Sequence, residues 1–97
     1  MKLTFRVYEG EDLVREETLD KDMIKIGKQG SCHLQLEGAG VARMHAAIEV
    51  TPMDELKLID LGSDSGTFVN GKKKDKCALK DGDELKIGAF RVVLTTS

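Results

Sequence analysis

The chain has 97 residues, 40% of them hydrophobic and 33% charged, with a formal net charge of −2 at pH 7. This length fits one hydrophobic core, so we expect a single domain over residues 1–97 within a longer protein. No apolar run approaches the ~20 residues of a membrane span and no secretory signal opens the sequence, which predicts a soluble, cytoplasmic protein without direct membrane contact.

Apolar residues recur mostly at every second position, in short runs interrupted by Gly, Asp or Asn. This period is typical of β-strands with one buried face. The first run places Leu3, Phe5 and Val7 on one face, and a turn at Glu9-Gly10-Glu11 precedes a returning strand at residues 13–18. Further strands are predicted at residues 23–26, 33–36, 46–51, 56–60, 67–69, 84–87 and 90–94. The sequence therefore predicts an all-β domain.

Two turns have defined chemistry. Asn70-Gly71 suits a type I′ hairpin turn, in which both central residues have positive φ, and Gly88-Ala89 suits a type II′ turn with glycine first. Two-residue turns fix the pairing of the strands that they connect.

The thiols and imidazoles form no recognisable metal-binding motif. Cys32 and Cys77 are far apart and outside any C-x-x-C arrangement, so we expect reduced thiols without a disulfide. Together with His33 and His45 they match no zinc-ligand spacing. The sequence predicts no metal and no cofactor.

A catalytic site is not predicted either. No serine lies in a G-x-S-x-G elbow, and the sequence pairs none with a histidine. Without a nucleophile, a base and oxyanion-stabilising groups in recognisable order, we expect a protein that is not an enzyme.

A cluster of lysines follows the Asn70-Gly71 turn: Lys72, Lys73, Lys74 and Lys76. Such a cluster can contact nucleic-acid phosphates. However, the sequence pI is about 5.7 and the few aromatic residues form no stacking pattern,. We therefore interpret these lysines as a solvated strand edge and expect no nucleic-acid partner.

Three loop segments occur in order between the predicted strands. They are Ile26-Gly27-Lys28, then Val41-Ala42-Arg43-Met44-His45-Ala46, then Leu58 to Gly71, which contains Asp60-Leu61-Gly62-Ser63-Asp64-Ser65-Gly66-Thr67. With these motifs the chain resembles the forkhead-associated (FHA) domain family, from the first hairpin to residues 81–90. The resemblance implies a β-sandwich of about eleven strands, with loops at one end that bind phosphothreonine peptides.

The family resemblance also implies roles for individual positions. The glycine at Gly27 shapes its loop, while a neighbouring arginine holds the peptide or phosphate. The serine of the S-R-x-H motif bonds the phosphate, and its histidine, here His45, braces the loop. The asparagine of S-x-N-G-T holds the peptide backbone. A phosphate carries nearly two charges and three acceptor oxygens, so a cation with hydroxyl and amide donors distinguishes it from plain threonine.

Three positions depart from the family pattern: Lys28 replaces arginine, Ala42 replaces the phosphate-binding serine, and Ser65 replaces asparagine. The candidate binding residues are therefore Lys28, Arg43, Ser63, Asp64, Ser65 and Thr67, and the residues expected to support the site are Gly27, His45, Gly66, Asn70 and Gly71. The hydroxyls of Ser63, Ser65 and Thr67 either contact the ligand or bond only their own turn, and the sequence leaves both open.

Losing two charge-assisted hydrogen bonds at ~1.5 kcal/mol each weakens phosphate binding by ~3 kcal/mol, or ~100-fold. The sequence therefore predicts a protein-interaction module whose binding is weakly dependent on phosphate or independent of it. Two alternatives remain open: phosphothreonine binding through Lys28 and Arg43, and a scaffold or assembly domain with a vestigial site. The expected partner is a protein or a phosphothreonine-containing peptide, and the oligomeric state is not predicted.

Overall fold

The structure is a computed structural model that describes residues 1–96, which form eleven β-strands and no helix. The strands are β1 (Leu3–Glu9), β2 (Asp12–Leu19), β3 (Met23–Gly27), β4 (Leu34–Gln35), β5 (Ala46–Val50), β6 (Leu56–Asp60), β7 (Thr67–Val69), β8 (Lys72–Lys73), β9 (Lys76–Leu79), β10 (Glu84–Ile87) and β11 (Phe90–Thr96). Within residues 1–96, no helix has the length and hydropathy needed to cross a membrane.

The strands form two sheets. One has the order β2-β1-β11-β10-β7-β8 and the other the order β4-β3-β5-β6-β9. Neighbouring strands are antiparallel, except that β4 lies parallel to β3. The predicted all-β sandwich of about eleven strands is confirmed.

The core lies between the sheets and follows from the alternation of apolar residues along the strands. Leu3, Phe5 and Val7 of β1 are buried as predicted. Ile24 and Ile26 of β3, in the other sheet, belong to the same buried apolar cluster. Burying these side chains stabilises the sandwich.

The two predicted hairpin turns are present. Asn70 and Gly71 both have positive φ, +50° and +86°, and Val69 pairs with Lys72 across them. Gly88 has φ +57° between the paired residues Ile87 and Phe90. These φ values agree with the type I′ and type II′ turns expected from the sequence.

The sequence missed β8 and β9. Strand β8 is only Lys72–Lys73, too short for an alternating pattern, and β9 pairs with β6 at a sheet edge, where its lysine, cysteine and alanine carry little apolar signal. The predicted strand at residues 33–36 is shorter in the structure, Leu34–Gln35, because it pairs only with the end of β3. Both cysteines are free.

Candidate functional site

The end of β3 and the loop of residues 41–45 run side by side. The N–H groups of Lys28 and Gln29 donate to the carbonyls of Ala42 and Arg43, at 2.9 and 3.0 Å. A Cβ at Gly27 would lie 2.3 Å from the Arg43 carbonyl oxygen, so only glycine permits this approach,. Gly27 thereby brings the Lys28 and Arg43 backbones into adjacent loops.

His45 is fully buried beneath these loops. Its Nδ1 accepts a hydrogen bond from the N–H of Ala42 at 3.1 Å, which leaves Nε2 to donate to the Gly66 carbonyl at 2.9 Å. The ring therefore carries its hydrogen on Nε2 and ties the 41–45 loop to the loop that contains Gly66. Both ring nitrogens are used in this way, so the imidazole serves structure.

Cys32 and Met44 fill the space under the same loop. The Cys32 thiol donates to the Arg43 carbonyl at 3.5 Å and lies 3.7 Å from the Met44 sulfur. Burial raises the pKa of the Cys32 thiol above its ordinary value, against the lowering effects of a hydrogen bond from Gln29 and of the Lys25 charge. This thiol is a packing group.

Asp60, at the end of β6, organises the third loop. One carboxylate oxygen accepts the N–H groups of Gly62 and Ser63 at 2.8 and 2.9 Å. The other accepts the hydroxyls of Ser63 and Thr67 at 2.6 and 2.8 Å. Burial alone would raise the pKa of Asp60, but these four hydrogen bonds together hold its pKa below the ordinary value,.

The hydroxyls of Ser63 and Thr67 consequently face the interior of their own loop. Ser63 Oγ also accepts the N–H of Gly66 at 3.1 Å, and Thr67 is fully buried. Of the two roles that the sequence left open for these hydroxyls, the geometry corresponds to bonding within the turn. Sequence reasoning did not single out Asp60, although an aspartate two and three residues before Gly62 and Ser63 is the pattern of an Asx turn.

A depression of about 180 Å³ lies between the second and third loops and is lined by Gly40, Val41, Ala42, Asp64 and Ser65. Ala42 offers this depression a methyl group in place of a hydroxyl. The Ser65 hydroxyl donates to the Gly40 carbonyl at 2.5 Å, so it closes the depression from the side. Asp64 is exposed at the rim.

Gly40 and Gly88 allow this arrangement because their backbones touch. A Cβ at Gly40, where φ is +78°, would lie 3.0 Å from the Gly88 Cα. The N–H of Ala89 donates to the Ala39 carbonyl at 3.0 Å beside this contact. The loop before Val41 is thus fastened to the turn between β10 and β11.

Lys28 and Arg43 are the exposed cations of the site. The ion pairs described within residues 1–96 involve neither of them. Both side chains therefore remain available to a negatively charged ligand.

Asn70 and Gly71 lie further along β7 than the depression. The Asn70 side chain accepts the N–H of Glu84 at 3.0 Å and donates to buried Asp83 at 3.1 Å. These bonds fasten the hairpin to the start of β10. The structure therefore brings together Lys28, Ala42, Arg43, Asp64 and Ser65, and places Asn70 and Gly71 outside that group.

Lys73 lies exposed on the edge strand β8, as the sequence predicts, and its stem also lies against the third loop. A Cβ at Gly66 would be 2.6 Å from Cε and 3.3 Å from Cδ of Lys73, so the lysine stem covers this glycine. The sequence signal for this contact was the Asn70-Gly71 turn, because a two-residue hairpin places Lys73 opposite Phe68, two residues from Gly66,.

No group of three or more His, Cys, Asp or Glu side chains among residues 1–96 is placed to hold a metal ion. The hydrogen bonds described above join the loops to one another and to the strands.

Comparison with known proteins agrees with this architecture. The family model described as "FHA domain" matches residues 24–88. The glycogen accumulation regulator GarA of Mycobacterium tuberculosis is 35% identical over 78 residues, which cover 80% of this chain and 48% of that protein. The oxoglutarate dehydrogenase inhibitor of Corynebacterium jeikeium is 35% identical over 75 residues, which cover 77% of this chain and 51% of that protein. The chain thus spans about half the length of these curated relatives.

A solved domain from work on phosphothreonine-dependent FHA domain interactions superposes with a TM-score of 0.87 at 26% identity. The match covers 100% of this chain and 98% of the solved one. The overall fold is therefore shared.

Proposed function

The chain belongs to the FHA domain family of protein-interaction modules, and we propose that it docks a partner peptide on its three loops with phosphothreonine as a weak, non-obligatory contribution. The family match and the relatives named as a regulator and an inhibitor identify a binding module and not an enzyme. The proposal concerns how this module treats phosphate.

One observation carries the proposal: the hydroxyl donors of the site are absent or already used. Ala42 has none, Ser65 donates to Gly40, and Ser63 and Thr67 donate to Asp60. A phosphate in the depression would meet the Asp64 carboxylate at the rim. Because like charges repel, Asp64 opposes a dianion there.

Lys28 and Arg43 supply what remains of phosphate recognition. Exposed ion pairs are worth ~0.2–1 kcal/mol each, less than a charge-assisted hydrogen bond fixed in a site. Two such pairs give at most ~2 kcal/mol, and we expect phosphorylation of the peptide to strengthen binding about tenfold. Lysine at position 28 also lacks the planar fork with which arginine binds phosphate bidentately.

A second candidate is strict phosphothreonine dependence. It is favoured by the similarity to a domain studied for phosphothreonine-dependent interactions and by the two unpaired cations. A vestigial site on a scaffold domain is the third possibility, and it predicts no peptide contact with the loops.

Amide chemical shifts recorded during titration with a phosphothreonine peptide library and its unphosphorylated counterpart separate these candidates. We expect both peptide sets to shift the loops around Lys28, Arg43 and Ser63, with the phosphorylated set binding about tenfold more tightly. In the double variant Lys28→Gln, Arg43→Gln the two affinities should converge, whereas Lys57→Gln, on the exposed face of β6, should leave the ratio unchanged.

Loop shifts with the phosphorylated set alone would replace the proposal with the strict reader. If neither peptide set shifts the loops, the scaffold domain with a vestigial site would be the remaining candidate. A ratio that survives Lys28→Gln, Arg43→Gln would show that these cations do not read the phosphate.

A further inference from the structure

Three side chains form one cross-strand row on the outer face of the six-stranded sheet. Lys86 of β10 pairs with Phe68 of β7, and Phe68 pairs with Lys73 of β8. Both lysines are exposed and Phe68 is half-buried. We refer to Lys86, Phe68 and Lys73 as the outer row.

The charge of the outer row is unpaired. Neither Lys73 nor Lys86 takes part in the ion pairs described within residues 1–96. The next residue across the sheet, Arg91, differs because it pairs with Glu84 at 3.5 Å and lies 4.2 Å from the centre of the Tyr8 ring. The row therefore carries two lysines outside the described ion pairs, one on each strand that flanks Phe68.

A surface hollow of about 360 Å³ adjoins the row and is lined by Phe68, Asn70, Gly71, Glu84 and Lys86. Phe68, which is half-buried, contributes to its lining. A hollow that is lined by an aromatic ring and has a cation at its edge is suited to binding a peptide side chain.

The outer row is continuous with the peptide-binding loops. Gly66 comes directly before β7, and Phe68 is the second residue of that strand. The Lys73 stem spans this interval, because its Cε would be 2.6 Å from a Cβ at Gly66. A peptide that occupies the loop depression and runs along the sheet would reach the row within a few residues.

We propose that the outer row is a second subsite that binds an acidic segment of the partner peptide, with Lys73 and Lys86 facing its carboxylates and Phe68 packing against its apolar atoms. This inference rests on the proposed docking of a peptide on the loops. A nucleic acid suits the row less well, because the protein has a pI of about 5.7 and the row contains a single aromatic ring,.

The test uses fluorescein-labelled phosphothreonine peptides with a run of aspartates before or after the phosphothreonine, and matched peptides with asparagines. We expect one of the two aspartate peptides to bind about fivefold more tightly than its asparagine counterpart, which is within the range expected of two exposed ion pairs. In Lys73→Gln, Lys86→Gln this preference should disappear. Glutamine keeps carbon atoms at the Cγ and Cδ positions that contact Gly66 and places an amide group where lysine has Cε, so the position above Gly66 stays filled.

The control is Lys57→Gln, Lys80→Gln, which removes the same charge from exposed positions outside the row and should keep the preference. Persistence of the aspartate preference in Lys73→Gln, Lys86→Gln, or its absence in the parent, would overturn the proposal. Binding of oligothymidine that depends on Lys73 and Lys86, without any aspartate preference, would assign the row to nucleic acid instead. The variant Lys28→Gln, Arg43→Gln should lose the effect of phosphate and retain the aspartate preference, so a failure of the proposed loop function is distinguishable from a failure of the outer row.

Discussion

The inner and outer layers of the binding loops differ in how completely their polar groups are bonded. In the inner layer, His45 uses both ring nitrogens and Asp60 accepts four hydrogen bonds. In the outer layer, Lys28 and Arg43 are exposed and take no part in the ion pairs described within residues 1–96. The inner layer fixes the shape of the loops, while in the proposed function the outer layer determines what they bind. Variants of the inner layer should therefore change the stability of the domain, and variants of the outer layer should change its affinity for peptides.

The largest expected effect is on the inner layer. Asp60→Ala removes the acceptor of four hydrogen bonds, and we expect it to lower the free energy of unfolding by about 3 kcal/mol, since bonds to a charged group are worth ~1.5–3 kcal/mol each and water replaces some of them. Urea denaturation measures this. Asp64→Ala, an exposed carboxylate in the same loop, is the matched control and should change stability by less than ~0.5 kcal/mol. Equal losses in the two variants would contradict the division into layers.

Ala42→Ser combined with Ser65→Asn should strengthen phosphopeptide binding without a comparable change in stability. The two residues restore the donor types that the FHA family uses, and the gain should approach ~100-fold if both hydrogen bonds form. Isothermal titration of a phosphothreonine peptide and its unphosphorylated form measures it. A double variant that binds no better than the parent would show that these positions are assigned wrongly.

Acid should weaken the inner layer through Asp60. The folded pKa of this carboxyl lies below its ordinary value of 3.8, so ionised Asp60 stabilises the fold at higher pH, and this stabilisation is lost as the pH falls below 3.8 toward the lower folded pKa,. Asp60→Asn lacks this titration. The difference in unfolding free energy between the parent and Asp60→Asn should therefore narrow with acidification. A difference that stays constant from neutral pH to pH ~2 would contradict a stabilising role for ionised Asp60.

The smallest effect is expected at the rim of the depression. Asp64→Asn removes a negative charge beside the proposed phosphate position and should raise the affinity for a phosphorylated peptide about twofold, with no change for the unphosphorylated one. Raising the salt concentration should reduce the gain, because exposed charges are screened. An equal gain for both peptides would mean that Asp64 acts on the peptide backbone.

The sequence predicted the fold well where alternation and turn chemistry were strong. The alternation of Leu3, Phe5 and Val7 with polar residues predicts the buried face of β1. The Asn70-Gly71 turn fixes the pairing of the strands on either side of it, β7 and β8. Strands β8 and β9 were missed because they lie at sheet edges and consist mostly of lysine and small residues. Such segments bury too little apolar surface to show an alternation of apolar and polar residues,.

The candidate site was less predictable. Motif positions located the loops, but a hydroxyl can bond its own turn or a ligand, and the choice depends on acceptors contributed from elsewhere in the chain. Ser65 bonds the Gly40 carbonyl, 25 positions away, and no local pattern indicates this. Lys73 was overlooked because its contact with Gly66 depends on strand pairing, although the hairpin turn contained that information.

The contact between Gly40 and Gly88 has a consequence for how such a domain can diversify. Each glycine occupies space that a side chain on the other would need, and a Cβ at Gly88 would lie 2.5 Å from the Ala39 carbonyl oxygen. A side chain at either position would therefore strain this contact whatever the ligand, because both glycines also have positive φ, whereas exchanges at Lys28, Ala42 or Asp64 leave the contact intact. New binding preferences can arise by single substitutions on a framework that does not have to be rebuilt each time.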